Sequence, residues 1–125
     1  MNKPTQAKNP VFVYGTLRKG EPPFYWIKAE LYSLGPYPAI KNVNDTDSWV
    51  KGEVLWVNDK QLRRFDQIEG VVSGHYIRKR TPVWEVKDGL VVVVAWVYEY
   101  GTPEKLHESM KCGEDWQGSI GMWTY

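Results

Sequence analysis

Val11-Phe12-Val13-Tyr14-Gly15-Thr16-Leu17-Arg18-Lys19-Gly20 runs from a β-branched and aromatic stretch straight into a basic loop between two glycines. The first four residues have the composition of a strand, and Gly15 ends it abruptly. A glycine at a strand end lets neighbouring backbone N–H groups converge on an anion. On local features the segment reads equally as a tight turn with a basic tip, and that plainer reading is preferred. A phosphate-binding P-loop is excluded. Gly15 and Gly20 have its separation, but Glu21-Pro22 stands where Lys-Ser/Thr is required.

Working outward, residues 1–10 are polar, lack the apolar core of a signal peptide, and are expected to form a flexible arm. Residues 11–125 then form a single domain, a size that buries a core without a metal or disulfide staple. Ala29 to Leu34 alternates weakly as a second strand, broken by Gly35-Pro36-Tyr37-Pro38. Val50 to Val57 is a strand in which Gly52 marks a bulge or the close approach of another backbone. Asn58 or Asp59 caps a short helix, with Gln61 completing a capping box. Leu62, Phe65 and Ile68 fall on one apolar stripe, and Gly70 supplies the stop. His75 to Val86 reads as one or two strands around Pro82. Asp88-Gly89 is a hairpin signal joining it to Leu90–Tyr100. Thr102-Pro103 opens a second helix through Lys111. The tail from Asp115 carries no assignment. The sum is mainly β with two short helices, a small barrel or curled sheet.

Sixteen Lys and Arg against fifteen Asp and Glu give a net charge of +1, which offers little support for a nucleic-acid partner. The longest apolar run, Leu90 to Tyr98, is strand-sized, so no membrane span is expected. A single cysteine, Cys112, suits a reducing compartment, and the expected location is cytoplasmic. Seven Trp and eight Tyr point to flat-walled packing or a pocket. Neither His75, His107 and Cys112 nor Asp45 and Asp47 have the spacing of a metal site, so no metal is expected. Each histidine reads as a surface or capping residue, and Cys112 as inert. Arg78-Lys79-Arg80 reads as a charge run on a solvated strand edge. Glu69 sits at a helix end among Ile68, Val71 and Val72, where desolvation and the helix dipole both favour its neutral form. Taken alone, a solvated glutamate at a helix end is the better reading.

In combination these segments resemble the γ-glutamylcyclotransferase-like superfamily, and more closely its AIG2-like and γ-glutamylamine cyclotransferase branch. Tyr14 to Gly20 matches that family's opening loop. Tyr37-Pro38, Val50-Lys51-Gly52-Glu53-Val54, and Leu62, Asp66 and Glu69-Gly70 with Tyr76-Ile77-Arg78 follow in register. The late strand ends in an aromatic pair, Tyr98-Glu99-Tyr100. Cys112-Gly113-Glu114-Asp115-Trp116 stands where members finish near Ser-Gly-Asp-Trp, with cysteine for serine and one extra residue.

The resemblance implies an α+β fold, a small mixed β-barrel with short helices and a cavity at one end. It makes Glu69 the acid/base residue and gives the glutamyl group to Tyr14, Gly15, Thr16 and Leu17, with Tyr76 and Tyr98 as candidates for the cavity wall. That reverses the local readings of both segments. The implied reaction converts a γ-glutamyl amine or γ-glutamyl amino acid to 5-oxoproline and free amine, without cofactor. The expected partner is that small molecule, with no nucleic acid or membrane, in a monomer or weak homodimer. The rival readings are a non-catalytic binding module of the same fold and a barrel binding single-stranded nucleic acid on its aromatic faces.

Overall fold

The computed structural model describes residues 6–15 and 17–116. β1 (Asn9–Val13), β2 (Tyr25–Lys28), β5 (Trp49–Val57), β6 (Tyr76–Trp84) and β7 (Val91–Tyr100) close into a barrel in the order β1-β5-β2-β6-β7. β1 closes it, running antiparallel to β5 and parallel to β7, with Val11 opposite both Leu55 and Trp96. β3 (Glu30–Ser33) and β4 (Pro38–Lys41) form a separate hairpin, and α1 (Asp59–Ile68) follows β5. The α+β barrel inferred from the sequence is the observed fold.

The apolar run that opens the domain is a strand buried on both faces, where alternation is not required. Phe12 belongs to a cluster with Ile27, Val50, Val83, Ala95 and Val97 that fills the barrel. Val11 and Val13 belong to a second cluster, with Leu62 of α1, Tyr32 and Ala39 of the hairpin, and Tyr98. β1 is thus the seam between the two cores, and its carboxyl end is carried to the place where barrel, helix and hairpin meet.

α1 starts and stops as its sequence dictates. Asn58 Oδ1 accepts from Gln61 N–H at 2.8 Å, and Gln61 Oε1 accepts from Asn58 N–H at 2.8 Å. At the other end Val71 N–H donates to Asp66 O and Gly70 N–H to Gln67 O, the paired bonds of a Schellman ending. This ending needs a left-handed residue, and Gly70 supplies φ +65°. Glu69 is therefore the last residue before the chain reverses, at φ −83° and ψ −2°. Gly52 also behaves as expected, since a Cβ there would meet the Val13 carbonyl and the Phe12 ring.

Several expectations are corrected. β1 begins at Asn9, so Asn9 and Pro10, assigned to the arm, belong to the barrel. The weak strand over Ala29–Leu34 is β3, but β2 ahead of it was not anticipated. The chain leaves the barrel at Ala29, and each four-residue piece is too short to show a period. Ile68 does not share the buried stripe of Leu62. It is 62% exposed, because the last turn of α1 overhangs the barrel end. Thr102 makes no side-chain cap, and two 3₁₀ turns, Pro103–Lys105 and Glu108–Met110, replace the second helix. Arg78 is not a solvated edge residue: it stacks on the Trp96 ring at 4.4 Å and pairs with Asp66 at 3.2 Å. Among the described residues no helix is long and apolar enough to cross a membrane.

Candidate active site

The loop after β1 is held from beneath. Arg18 is buried, and its guanidinium donates to Asp115 Oδ1 at 2.6 Å, to the Trp116 carbonyl, and through Nε to the Gly15 carbonyl at 3.4 Å. Its own N–H closes a turn onto Gly15 O at 3.1 Å. Lys19 and Gly20 N–H donate to the two carboxylate oxygens of buried Glu53, at 2.9 and 2.8 Å. A bidentate carboxylate over two amides and a forked guanidinium over three oxygens make a rigid brace. The basic tip suggested by Arg18 is thus an internal fastener, and the tail segment left open in the sequence supplies two of its three acceptors. Gly15 is required by contact: a Cβ would lie 2.5 Å from Pro38 Cγ.

That loop forms one wall of a cavity of about 460 Å³. Tyr14, Gly15 and Leu17 come from the loop, Glu69 from the end of α1, and Tyr76 and Tyr98 from β6 and β7. Six of the seven residues anticipated for the site therefore meet in one concavity. The seventh, Thr16, lies outside the described residues. Sequence reasoning missed Tyr37, Ile68 and His75, which also line it. The Tyr-Pro turn was read as a motif without a place, and His75 as a surface or capping residue. His75 is exposed, but its ring packs edge-on against Tyr76 and Tyr100, beside the cavity.

The phenols of Tyr14, Tyr76 and Tyr98 are committed. Tyr14 OH donates to the Tyr98 carbonyl at 2.6 Å, Tyr76 OH to the Pro38 carbonyl at 2.8 Å, and Tyr98 OH to Asp66 Oδ1 at 2.7 Å. Burial pushes all three well above the usual phenol range, and the nearby Glu69 carboxylate adds to it. They stay neutral and shape the wall rather than titrate. Through Tyr98 and Arg78, Asp66 also ties the last turn of α1 to the barrel, one turn before Glu69.

Glu69 is the titrating group. Burial raises its carboxyl from 4.5 to about 7. Between those values the folded state holds a proton that the unfolded chain has released, so this group's contribution makes stability fall as pH rises from about 4.5 to 7. The penalty above pH 7 reaches about 3 kcal/mol at most. Glu69→Gln is therefore expected to be more stable than the parent at pH 8 and nearly equal to it at pH 4.5. Urea denaturation at the two values measures this, and parallel profiles for the two proteins would refute it.

The chain is similar to several known proteins. Residues 11–118 match the model of the family described as gamma-glutamyl cyclotransferase, AIG2-like. A Vibrio cholerae protein carrying the provisional name gamma-glutamylcyclotransferase is 31% identical over 119 residues, covering 85% of this chain and 93% of its own length. A Methanocaldococcus jannaschii protein of the same provisional name is 32% identical over 124 residues, covering 86% and 98%. Among solved structures, a mouse AIG2-like protein superposes with a TM-score of 0.60 at 21% identity, covering 87% of this chain and 88% of its own. YkqA from Bacillus subtilis superposes with 0.62 at 21% identity, covering 91% and 41%.

Proposed function

The chain belongs to the AIG2-like gamma-glutamyl cyclotransferase family, and from that premise we propose that it closes the glutamyl group of a γ-glutamyl amine or amino acid into 5-oxoproline, releasing the amine. The observation that carries this reading is Glu69: a carboxyl raised to about 7 by burial, on the wall of a 460 Å³ cavity shared with the loop after β1. A group with that value accepts and returns protons near neutrality.

The free α-amine of such a substrate is itself the nucleophile. Glu69 as carboxylate takes a proton from the α-ammonium, and the amine nitrogen attacks the γ-carbonyl carbon, forming the five-membered ring. The ring nitrogen gives up a second proton, and the carbon–nitrogen bond breaks as Glu69 returns its proton to the leaving nitrogen. With the second proton the amine departs as an ammonium ion, and the ring keeps one N–H. Attack is intramolecular, so fixing the folded conformer supplies much of the rate. Backbone N–H groups of the loop from Gly15 to Leu17 are assigned to the α-carboxylate or the developing oxyanion. The Arg18 and Glu53 brace holds the loop at the Gly15 carbonyl and at the Lys19 and Gly20 amides, which supports this assignment, since such donors act best when preorganised. Tyr76 and Tyr98 are assigned to the wall against the glutamyl chain.

Product analysis tests the assignment. A γ-glutamyl amide is expected to yield 5-oxoproline, lighter than glutamate by one water, and its N-acetyl derivative to yield nothing. Free glutamate as the first product, or turnover of the acetylated compound, would replace cyclotransfer by hydrolysis.

A further inference from the structure

Resting on the cyclotransferase reading, we propose that the amine released is a primary amine with an apolar or aromatic body, and not one carrying a second cationic group. The cavity has two unlike parts. Tyr14, Gly15 and Leu17 form the braced wall. The open side carries Tyr37 from the hairpin turn and Ile68 from the end of α1, which are 58% and 62% exposed, and exposed His75. Large apolar side chains left in water around one concavity mark a surface that a ligand covers. The glutamyl group occupies the side of the loop and Glu69. The substituent on the γ-nitrogen then leads out over Tyr37 and Ile68.

Charge decides what that substituent carries. Among the described lining residues Glu69 is the sole carboxylate, and His75 the sole basic side chain. During the reaction Glu69 is engaged by the substrate's own α-ammonium. Asp66, one turn earlier, is engaged by Tyr98 and Arg78. A second ammonium at the rim would find no further carboxylate among the described lining residues, and its hydration would oppose contact with Ile68. An apolar body would cover Tyr37 and Ile68. A tenfold preference, ~1.4 kcal/mol, needs only about 55 Å² of apolar surface removed from water.

The test uses Glu69→Gln, in which binding is separated from turnover, with three probes: γ-glutamylmethylamide, γ-glutamylphenethylamide and γ-glutamylputrescine. Calorimetry is expected to show the phenethylamide bound at least ~10-fold more tightly than the putrescine compound. Equal or tighter binding of the putrescine compound overturns the proposal. In the parent enzyme kcat/KM for 5-oxoproline release should follow the same order. Tyr37→Ala and Ile68→Ala should each shrink the advantage of the phenethylamide over the methylamide, and an unchanged ratio in both would remove the rim from the role assigned to it. If the parent makes no 5-oxoproline from any probe, the cyclotransferase reading fails. The binding order in Glu69→Gln still decides the preference of the rim.

Discussion

Glu69→Gln is expected to lower kcat by ~10²–10⁴-fold, the range general acid–base catalysis contributes, while the γ-glutamyl ligand still binds. The substitution keeps the volume and the polarity of the side chain but ends its ability to carry a proton. With no side chain to take the proton, turnover depends on the minor fraction of substrate whose α-amine is already free. The same burial that raises the carboxyl to about 7 makes the parent's kcat/KM rise with pH through that value, since the ionised form is the base. Loss of activity with stability retained or increased is the signature to look for. Stopped assays on purified protein, paired with denaturation curves, supply both measurements. Activity in Glu69→Gln within a few-fold of the parent would take the residue out of the chemistry.

Arg18→Ala is expected to damage the molecule through the loop rather than through the reacting groups. The guanidinium is almost fully buried and satisfies Asp115, Gly15 and Trp116 together. Removing one partner of a buried ion pair typically costs ~3–5 kcal/mol. Lys51 lies 3.9 Å from Asp115 and leaves that carboxylate a second cation, so the lower end is expected. For a domain of this size ~3 kcal/mol corresponds to a fall in Tm of roughly 10 °C. kcat/KM should fall even at temperatures where the variant is folded, because the wall facing Glu69 loses its fastening to the tail. Arg18→Lys should rescue only part of this, since one ammonium cannot serve three acceptors in a fork. Calorimetric melting and activity at 20 °C separate the two effects. A Tm within about 2 °C of the parent would mean the brace contributes little.

Much of this architecture was legible because it is written in short-range signals. A capping box depends on Asn58 and Gln61, three residues apart. The Schellman ending depends on Gly70 adopting a left-handed backbone that other residues resist, and the β6–β7 hairpin turns at Asp88, which adopts φ +59°. Such features are decided within one or two turns of chain, so reading neighbours suffices. Glu69 was legible only in part. Its place at the end of an apolar-flanked helix suggested desolvation, but that it faces a cavity and not water depends on elements far from it in sequence.

The elements that misled share one cause. Ile68 has the spacing of a core residue, and Arg78 the look of a surface charge. Each is placed by what packs against it: Ile68 overhangs an opening, and Arg78 lies between Trp96 and Asp66. Periodicity reports which face of an element is apolar, and not whether a neighbour covers it.

The sequence by itself determined the strand run entering a glycine loop, the capped helix ending at Glu69-Gly70, the hairpin at Asp88-Gly89, and, through these motifs in register, the family. Tertiary structure decided that residues 14, 37, 69, 76 and 98 line one cavity, that Glu53 and Asp115 hold the loop from below, and that Tyr37 and Ile68 stand open at the rim. Barrel closure accounts for the difference. β1 pairs with β5 across forty residues or more and with β7 across more than eighty, so the surroundings of each site residue come from segments whose own neighbours carry no record of it.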